Sequence, residues 1–182
     1  MLVLVIRHKM SKVFYDKPII DQIFEEFEDD CDINKLTKLV TKLPPEDVNT
    51  QDNDGWTALM HASQWNYSEI VKLLLEKEGI NVNIQNNIGE TALACAVDGD
   101  CTKTVKLLLE YKDIDVNIQD YYNNTALIVA SWDGNIEIVR LLLEKEDIDI
   151  NIQDNDGHTV LKYAFDYGYT EIVELLENHK SY

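Results

Sequence analysis

The chain has 182 residues, of which 45% are hydrophobic and 27% are charged, a composition typical of a folded globular protein. Its 16 Lys and Arg against 34 Asp and Glu give a formal net charge of −18. Because so acidic a surface repels phosphate backbones and anionic lipids, the composition argues against nucleic acid or membrane as a partner and favours a basic protein or peptide.

Residues 1–17 are predicted to form a poorly ordered N-terminal extension. The apolar run Met1–Ile6 is much shorter than the roughly 20 residues that a membrane-spanning helix needs. The basic residues that follow the run lie on the wrong side of it for a secretory signal, which has its positive charges first. The segment therefore indicates neither an anchor nor a signal, and an alternative is that the protein starts at Met10.

Residues 18–47 are predicted to form a pair of helices. The first covers Pro18–Phe27 and has isoleucine and phenylalanine on one side, and the second covers Asn34–Thr41. Pro44 and Pro45 close the unit, because proline cannot continue a helix.

From about residue 48 the sequence repeats itself at an interval of 34 residues. Such a fixed period is the sequence signature of a stacked repeat protein. Five columns stay in register through four copies: Thr57, Thr91, Thr125 and Thr159; Leu59, Leu93, Leu127 and Leu161; Ala62, Ala96, Ala130 and Ala164; Val71, Val105, Val139 and Val173; Asn49, Asn83, Asn117 and Asn151.

Each copy is predicted to contain a helix, a turn, a second helix and an extended loop. The threonine suits the N-cap of the first helix, and the turn falls at residues that tolerate left-handed backbone, namely Asn66, Asp100, Gly134 and Gly168. No copy can bury its leucines alone, so neighbouring copies must stack. The predicted repeats are 48–81, 82–115, 116–149 and 150–182, the last also serving as C-terminal cap. Residues 18–47, whose second helix lies one interval before Ser68–Leu75, are a degenerate N-terminal capping repeat.

The pattern Asp-x-x-Gly-x-Thr-x-Leu, followed by Ala, Glu-Ile-Val-Lys-Leu-Leu-Leu and Val-Asn, resembles the ankyrin repeat. In the first full copy it begins at Asp52 and reaches Val82 and Asn83. The resemblance implies an all-α, ankyrin-type helix-turn-helix repeat solenoid with short hairpin loops. It also implies a protein-protein interaction module that is not an enzyme and needs no cofactor.

The sequence shows no constellation typical of catalysis or metal binding. It has no Gly-rich phosphate loop and no Gly-x-Ser-x-Gly elbow. The histidines are scattered, and His61 and His158 fall in different columns, so no metal site is predicted. Of the cysteines, Cys95 belongs to a core column and Cys101 is expected nearer the surface.

The resemblance also implies where a partner binds, namely the turn tips and the inner, concave face of the first helices. Many of the residues in those columns are aromatic or acidic, a combination that suits Lys and Arg through cation–π contacts and ion pairs. The predicted partner-binding residues are Asp54, Trp56, Trp65, Ile88, Glu90, Asp98, Tyr121, Tyr122, Trp132, Asp133, Asp156, His158, Asp166 and Tyr167.

These observations predict a monomeric, cytoplasmic protein that recognises a basic protein or peptide. One alternative is a self-associating structural scaffold. Another is a viral or bacterial effector that masks a host protein and acts in the host cytoplasm. The tryptophans could also simply fill the seams between repeats, although turn tips such as Trp56, Tyr121 and Tyr122 are expected to have little core to fill.

Overall fold

The computed structural model describes residues 17–28 and 31–179, without the side chain of Glu28. The extension predicted at 1–17 lies outside these residues except for its last one. The longest helices have ten residues, and within the described ranges none is long and apolar enough to cross a membrane. The described residues contain ten α-helices and no strand: α1 (Ile19–Glu28), α2 (Ile33–Lys42), α3 (Ala58–Gln64), α4 (Ser68–Leu75), α5 (Ala92–Asp98), α6 (Thr102–Leu109), α7 (Ala126–Trp132), α8 (Ile136–Leu143), α9 (Val160–Asp166) and α10 (Thr170–His179).

The helices form two layers that run the length of the stack. The first helices of the successive units, α1, α3, α5, α7 and α9, each pack on the next, and the second helices, α2, α4, α6, α8 and α10, do the same. One helix pair falls within each predicted segment from 18–47 to 150–182. The all-α repeat solenoid expected from the sequence is confirmed, while the boundaries between units stay a prediction.

The leucine and valine columns form a continuous core between the layers. Leu59, Leu93 and Leu127 are each 1% exposed, so each contributes the roughly 1.5–3 kcal/mol that full burial of such a side chain is worth. Leu161 and Val173 occupy the same columns in the last repeat but are only partly buried. The reason is that no further unit of the described chain packs on that face.

The helix starts and turns use the residue types that the sequence predicts for them. The hydroxyl of Thr91 accepts a hydrogen bond from the amide of Ala94 at 3.3 Å, and the other three column threonines cap their helices in the same way. Asn66 and Asp100 have positive φ angles of 55° and 53° at the turn between the two helices of a repeat. Few residue types suit an N-cap or a positive φ angle, and this is why both features can be predicted from the sequence.

The asparagine column ties the loop at the start of each repeat to the loop at its end. The side chain of Asn83 donates to the carbonyl oxygen of Asp113 at 2.7 Å and accepts from the amide of Asp115 at 3.0 Å. Asn49 and Asn117 make equivalent bonds in their own repeats. These bonds satisfy loop backbone groups and fix the spacing of successive units.

Candidate functional site

The predicted partner-binding residues lie at the turn tips before the first helices and at the C-terminal ends of those helices. We call this set, from Asp54 to Tyr167, the candidate face. Its large exposed side chains include Trp65, 62% exposed, and Trp132, 46% exposed, together with Ile88, Tyr121, Tyr122 and Tyr167. Large apolar groups that remain this accessible are available for contact with another molecule.

The turn tips are held in a row by hydrogen bonds within and between repeats. Within a tip, one oxygen of the Asp120 carboxylate accepts from the amides of Tyr122 and Asn124 at 2.8 and 2.7 Å, and Asp52, Asn86 and Asp154 do the same in their repeats. Between tips, the amide of Tyr121 donates to the carbonyl oxygen of Ile88 at 3.0 Å, with equivalent bonds on either side. The tip residues of four repeats therefore form one continuous ridge.

Trp56 differs from the other tip aromatics, because it is half-buried and packs against the hydrophobic core. Its ring centroid lies 5.1 Å from that of His61, and His61 also contacts Phe24 and Phe27 of α1. Nε2 of His61 lies 2.8 Å from a carboxylate oxygen of Asp52. The expectation that Trp56 has little core to fill is corrected by this packing, since the half-buried ring lies against His61, which itself contacts the capping unit.

A run of stacked aromatic rings lies on and just after α7 and α9, the first helices of the last two repeats. The rings of Trp132 and Tyr163 are 5.4 Å apart and within 5° of parallel, and Tyr163 stacks in turn on Tyr167 at 6.4 Å. Sequence reasoning missed Tyr163, because its column contains His61, Cys95 and Val129 and was interpreted as core. The column begins with His61 and ends with Tyr163, and each of these polar rings contacts an aspartate of its turn tip. This polar character is the signal that could have revealed Tyr163.

Positive charge is almost absent from the side of the stack that bears the candidate face. Among the described residues, Lys162 is the only Lys or Arg on the first helices or the turn tips, and it pairs with Asp166. From residue 31 onward, the other described basic residues lie on the second helices and the loops that follow them. The carboxylates of Asp54, Glu90, Asp98, Asp133 and Asp156 have no Lys or Arg ion-pair partner in the described part of the chain.

Two of these carboxyl groups have a raised pKa, caused first by burial and then by neighbouring negative charges. Burial raises the pKa of Glu90, and the charges of Asp98 and Asp120 raise it further, against a hydrogen bond from Asn86 that lowers it. Burial likewise raises the pKa of Asp133, with added repulsion from Asp98 and Asp100. A positive group placed between these residues would offset the repulsion among their negative charges.

Comparison with protein families assigns this geometry to a known class. A model of ankyrin repeats in three copies matches residues 30–120, and a second ankyrin model, of many copies, matches residues 108–164. The chain belongs to the ankyrin repeat family. Ankyrin repeats are generally protein-protein interaction modules, and proteins of the family are typically not enzymes. A comparison with curated proteins gave no match for this chain.

One group of possible metal ligands occurs in the last ankyrin repeat. Single side-chain atoms of Asp154, Asp156 and His158 lie within 4.8 Å of one another. The Asp154 carboxylate is already engaged, because one oxygen accepts from the amides of Asp156 and His158 and the other accepts from the hydroxyl of Tyr163. The same loop bonding occurs in every repeat, so the cluster is explained by the turn fold and we assign no metal to it.

The cysteines of the ankyrin repeats are enclosed. Cys95 is buried as expected, and its burial raises the pKa of the thiol well above its ordinary value. Cys101, expected nearer the surface, is also buried, and its sulfur lies against the carbonyl oxygens of Gln64 and Gly99. The correction has a simple cause, which is that the preceding repeat covers the N-terminus of α6.

We expect Tyr163→Phe to destabilise the last repeat in a pH-dependent manner. Burial alone would raise the pKa of Asp154, but the bonds from Tyr163 and from the amides of His158 and Asp156 outweigh it and lower the pKa, while the pKa of Tyr163 rises to about 12. A lowered carboxyl pKa contributes stability that is present at neutral pH and lost as the pH falls through the folded-state value. The variant should lose about 1–2 kcal/mol at pH 7.

Urea unfolding at pH 7 and near pH 2 measures this difference. The gap between wild type and Tyr163→Phe should shrink at the lower pH, because Asp154 loses negative charge as the pH falls through its lowered pKa. Tyr121→Phe, which removes an exposed hydroxyl, is the matched control and should change stability by less than about 0.5 kcal/mol. An equal loss at both pH values would contradict the assigned bond.

Proposed function

We propose that this protein binds, through the candidate face, a partner protein or peptide with a basic surface. One observation carries the proposal: exposed aromatic side chains and unpaired carboxylates share the side of the stack on which Lys162 is the only described Lys or Arg. Aromatic rings attract Lys and Arg by cation–π contact, and carboxylates attract them by charge-assisted hydrogen bonds. Rings also bury a large area at low cost in side-chain entropy, which is why they dominate binding hot spots.

The dimensions of the face suit an extended segment of a partner. Packed helices lie about 10 Å apart, so the tips of four repeats span about 30 Å. An extended chain advances about 3.3 Å per residue, which matches a segment of about nine residues. We further propose that the protein acts in the cytoplasm as a monomer, which leaves the face free for such a segment.

A second candidate function, self-association, is favoured by one feature of the last repeat. Phe165 is 74% exposed and contributes to an apolar pocket of about 360 Å³ with Ala164, Gly168 and Val173. A second copy could cover this end of the stack. Light scattering decides between the two states, because a stable dimer that Phe165→Ala dissociates would favour self-association.

The main proposal predicts measurable binding of simple basic peptides. A peptide of about nine residues that alternates arginine with glycine should bind at low salt, and the same peptide with glutamate in place of arginine should not. The double variant Trp65→Ala plus Trp132→Ala should weaken binding about tenfold or more, since each ring is a candidate hot spot. Titration calorimetry measures the affinity, and thermal unfolding verifies that the double variant remains folded.

Phe165→Ala is the matched control, because it removes an exposed aromatic ring from a surface outside the candidate face. Its affinity for the peptide should equal that of the wild type. The proposal fails if neither peptide binds, if both bind equally, or if Phe165→Ala weakens binding as much as the double variant does.

A further inference from the structure

A pocket of about 310 Å³ lies within the candidate face between the third and fourth full repeats. Tyr122 and Asn124 of one turn tip form one side, and Asp154 and Asp156 of the next tip form the other. Trp132 at the end of α7 and Tyr163 of α9 complete it. The pocket thus combines rings and carboxylates from two repeats.

The aromatic wall of this pocket is fixed before any partner arrives. Trp132 and Tyr163 are stacked within 5° of parallel, and the Tyr163 hydroxyl is held by the Asp154 carboxylate. Tyr163 is further supported by Tyr167 at a ring distance of 6.4 Å. Pre-ordered rings lose little conformational entropy on binding, which favours affinity.

The two carboxylates of the pocket have different tasks. Asp154 is buried, and its three hydrogen bonds keep it ionised and immobile. Asp156 is exposed, and in the described part of the chain its carboxylate forms no ion pair and accepts no hydrogen bond. The Asp154 carboxylate is therefore a fixed part of the pocket wall, and the Asp156 carboxylate can accept hydrogen bonds from a ligand.

We propose that this pocket receives the side chain of one arginine of the basic partner. This inference rests on the proposed function and names the partner residue that the site selects. A guanidinium is planar, so it can lie against the Trp132 and Tyr122 rings while its N–H groups donate in their own plane to Asp156 and to the Asn124 side-chain oxygen. A lysine ammonium is a compact, strongly hydrated charge, and it cannot stack in this way.

The test uses three small probes and the three tryptophans of the chain as reporters. N-acetyl-arginine methylamide, the lysine analogue and the neutral citrulline analogue are titrated into ¹⁵N-labelled protein, and the indole N–H signals of Trp56, Trp65 and Trp132 are followed by NMR. The arginine probe should give a saturable shift at Trp132 and leave Trp65 unchanged. The lysine probe should bind about fivefold more weakly, and citrulline should give no saturable shift.

Matched charge variants locate the contact. Asp156→Asn should weaken the arginine probe about tenfold, because it removes the free carboxylate acceptor. Asp54→Asn makes the same change in the same column of the first full repeat, outside the pocket, and should have little effect. Equal shifts at Trp65 and Trp132, equal binding of arginine and lysine, or equal effects of the two variants would overturn the arginine assignment. The proposed function would survive each of these results if the longer arginine-glycine peptide still bound more tightly than its glutamate counterpart.

Discussion

Leu93→Ala is expected to destabilise the protein by about 2–5 kcal/mol, the range for truncation of a buried leucine. Leu93 is 1% exposed and lies on α5, which packs between α3 and α7. The substitution removes apolar contacts on both sides and leaves a cavity, because neighbouring repeats that are tied by loop hydrogen bonds cannot close it fully. The midpoint and slope of urea unfolding, followed by circular dichroism, give the change in free energy.

Leu161→Ala is the matched control for this prediction, because Leu161 occupies the same column of the last repeat but is only partly buried. Its truncation should cost about 1–2 kcal/mol, since a site with solvent on one side loses less packing and forms no closed cavity. Equal losses at Leu93 and Leu161 would contradict a core built by stacking, since in that core the cost depends on whether a following repeat is present.

Gly89→Ala should have the second large effect, about 2–5 kcal/mol of destabilisation. Gly89 has a φ angle of +87°, a conformation that costs a residue with a side chain about 1–2 kcal/mol. A Cβ atom there would also lie 2.9 Å from the Cα atom of Asp120 and from the amide nitrogen of Tyr121. That amide donates to Ile88 across the repeats, so the added methyl group pushes the two tips apart at about 1–3 kcal/mol more.

Gly157→Ala separates the backbone strain from the clash. Gly157 occupies the same column with a φ angle of +77°, but a Cβ atom there would meet nothing within 4 Å. The substitution should therefore cost only the roughly 1–2 kcal/mol of the left-handed conformation. Thermal and urea unfolding of the two variants measures the difference, and a Gly157→Ala protein as unstable as Gly89→Ala would show that the tips are not in contact as described.

The features that the sequence predicts correctly are those that a single repeat determines by itself. The helix starts at Thr91 and its equivalents and the left-handed turns at Asn66 and Asp100 follow from local backbone chemistry, so they are readable in any one copy. The stacked order follows from the leucine columns, because apolar residues in register across copies must face one another. The family resemblance added the identity of the side on which partners bind.

The features that sequence reasoning missed depend on what lies next to a repeat. Trp56 is half-buried against His61, which Phe24 and Phe27 of α1 also contact. Cys101 is buried because the preceding repeat covers it. Phe165 is exposed because no described unit packs on it, although its column is buried in earlier repeats. The pocket between Trp132, Tyr163 and Asp156 forms where the rings of two repeats meet. A column of aligned residues does not show the distance between side chains of neighbouring repeats.

The most direct test of the account is a map of where a basic ligand binds the wild-type protein. Amide shifts of ¹⁵N-labelled protein should be followed while the arginine-glycine peptide of about nine residues is added. The account predicts saturable changes at the turn tips 51–57, 85–91, 119–125 and 153–159 and at the C-terminal ends of α3, α5, α7 and α9. Changes confined to α4, α6 and α8, or the absence of any saturable change, would contradict it.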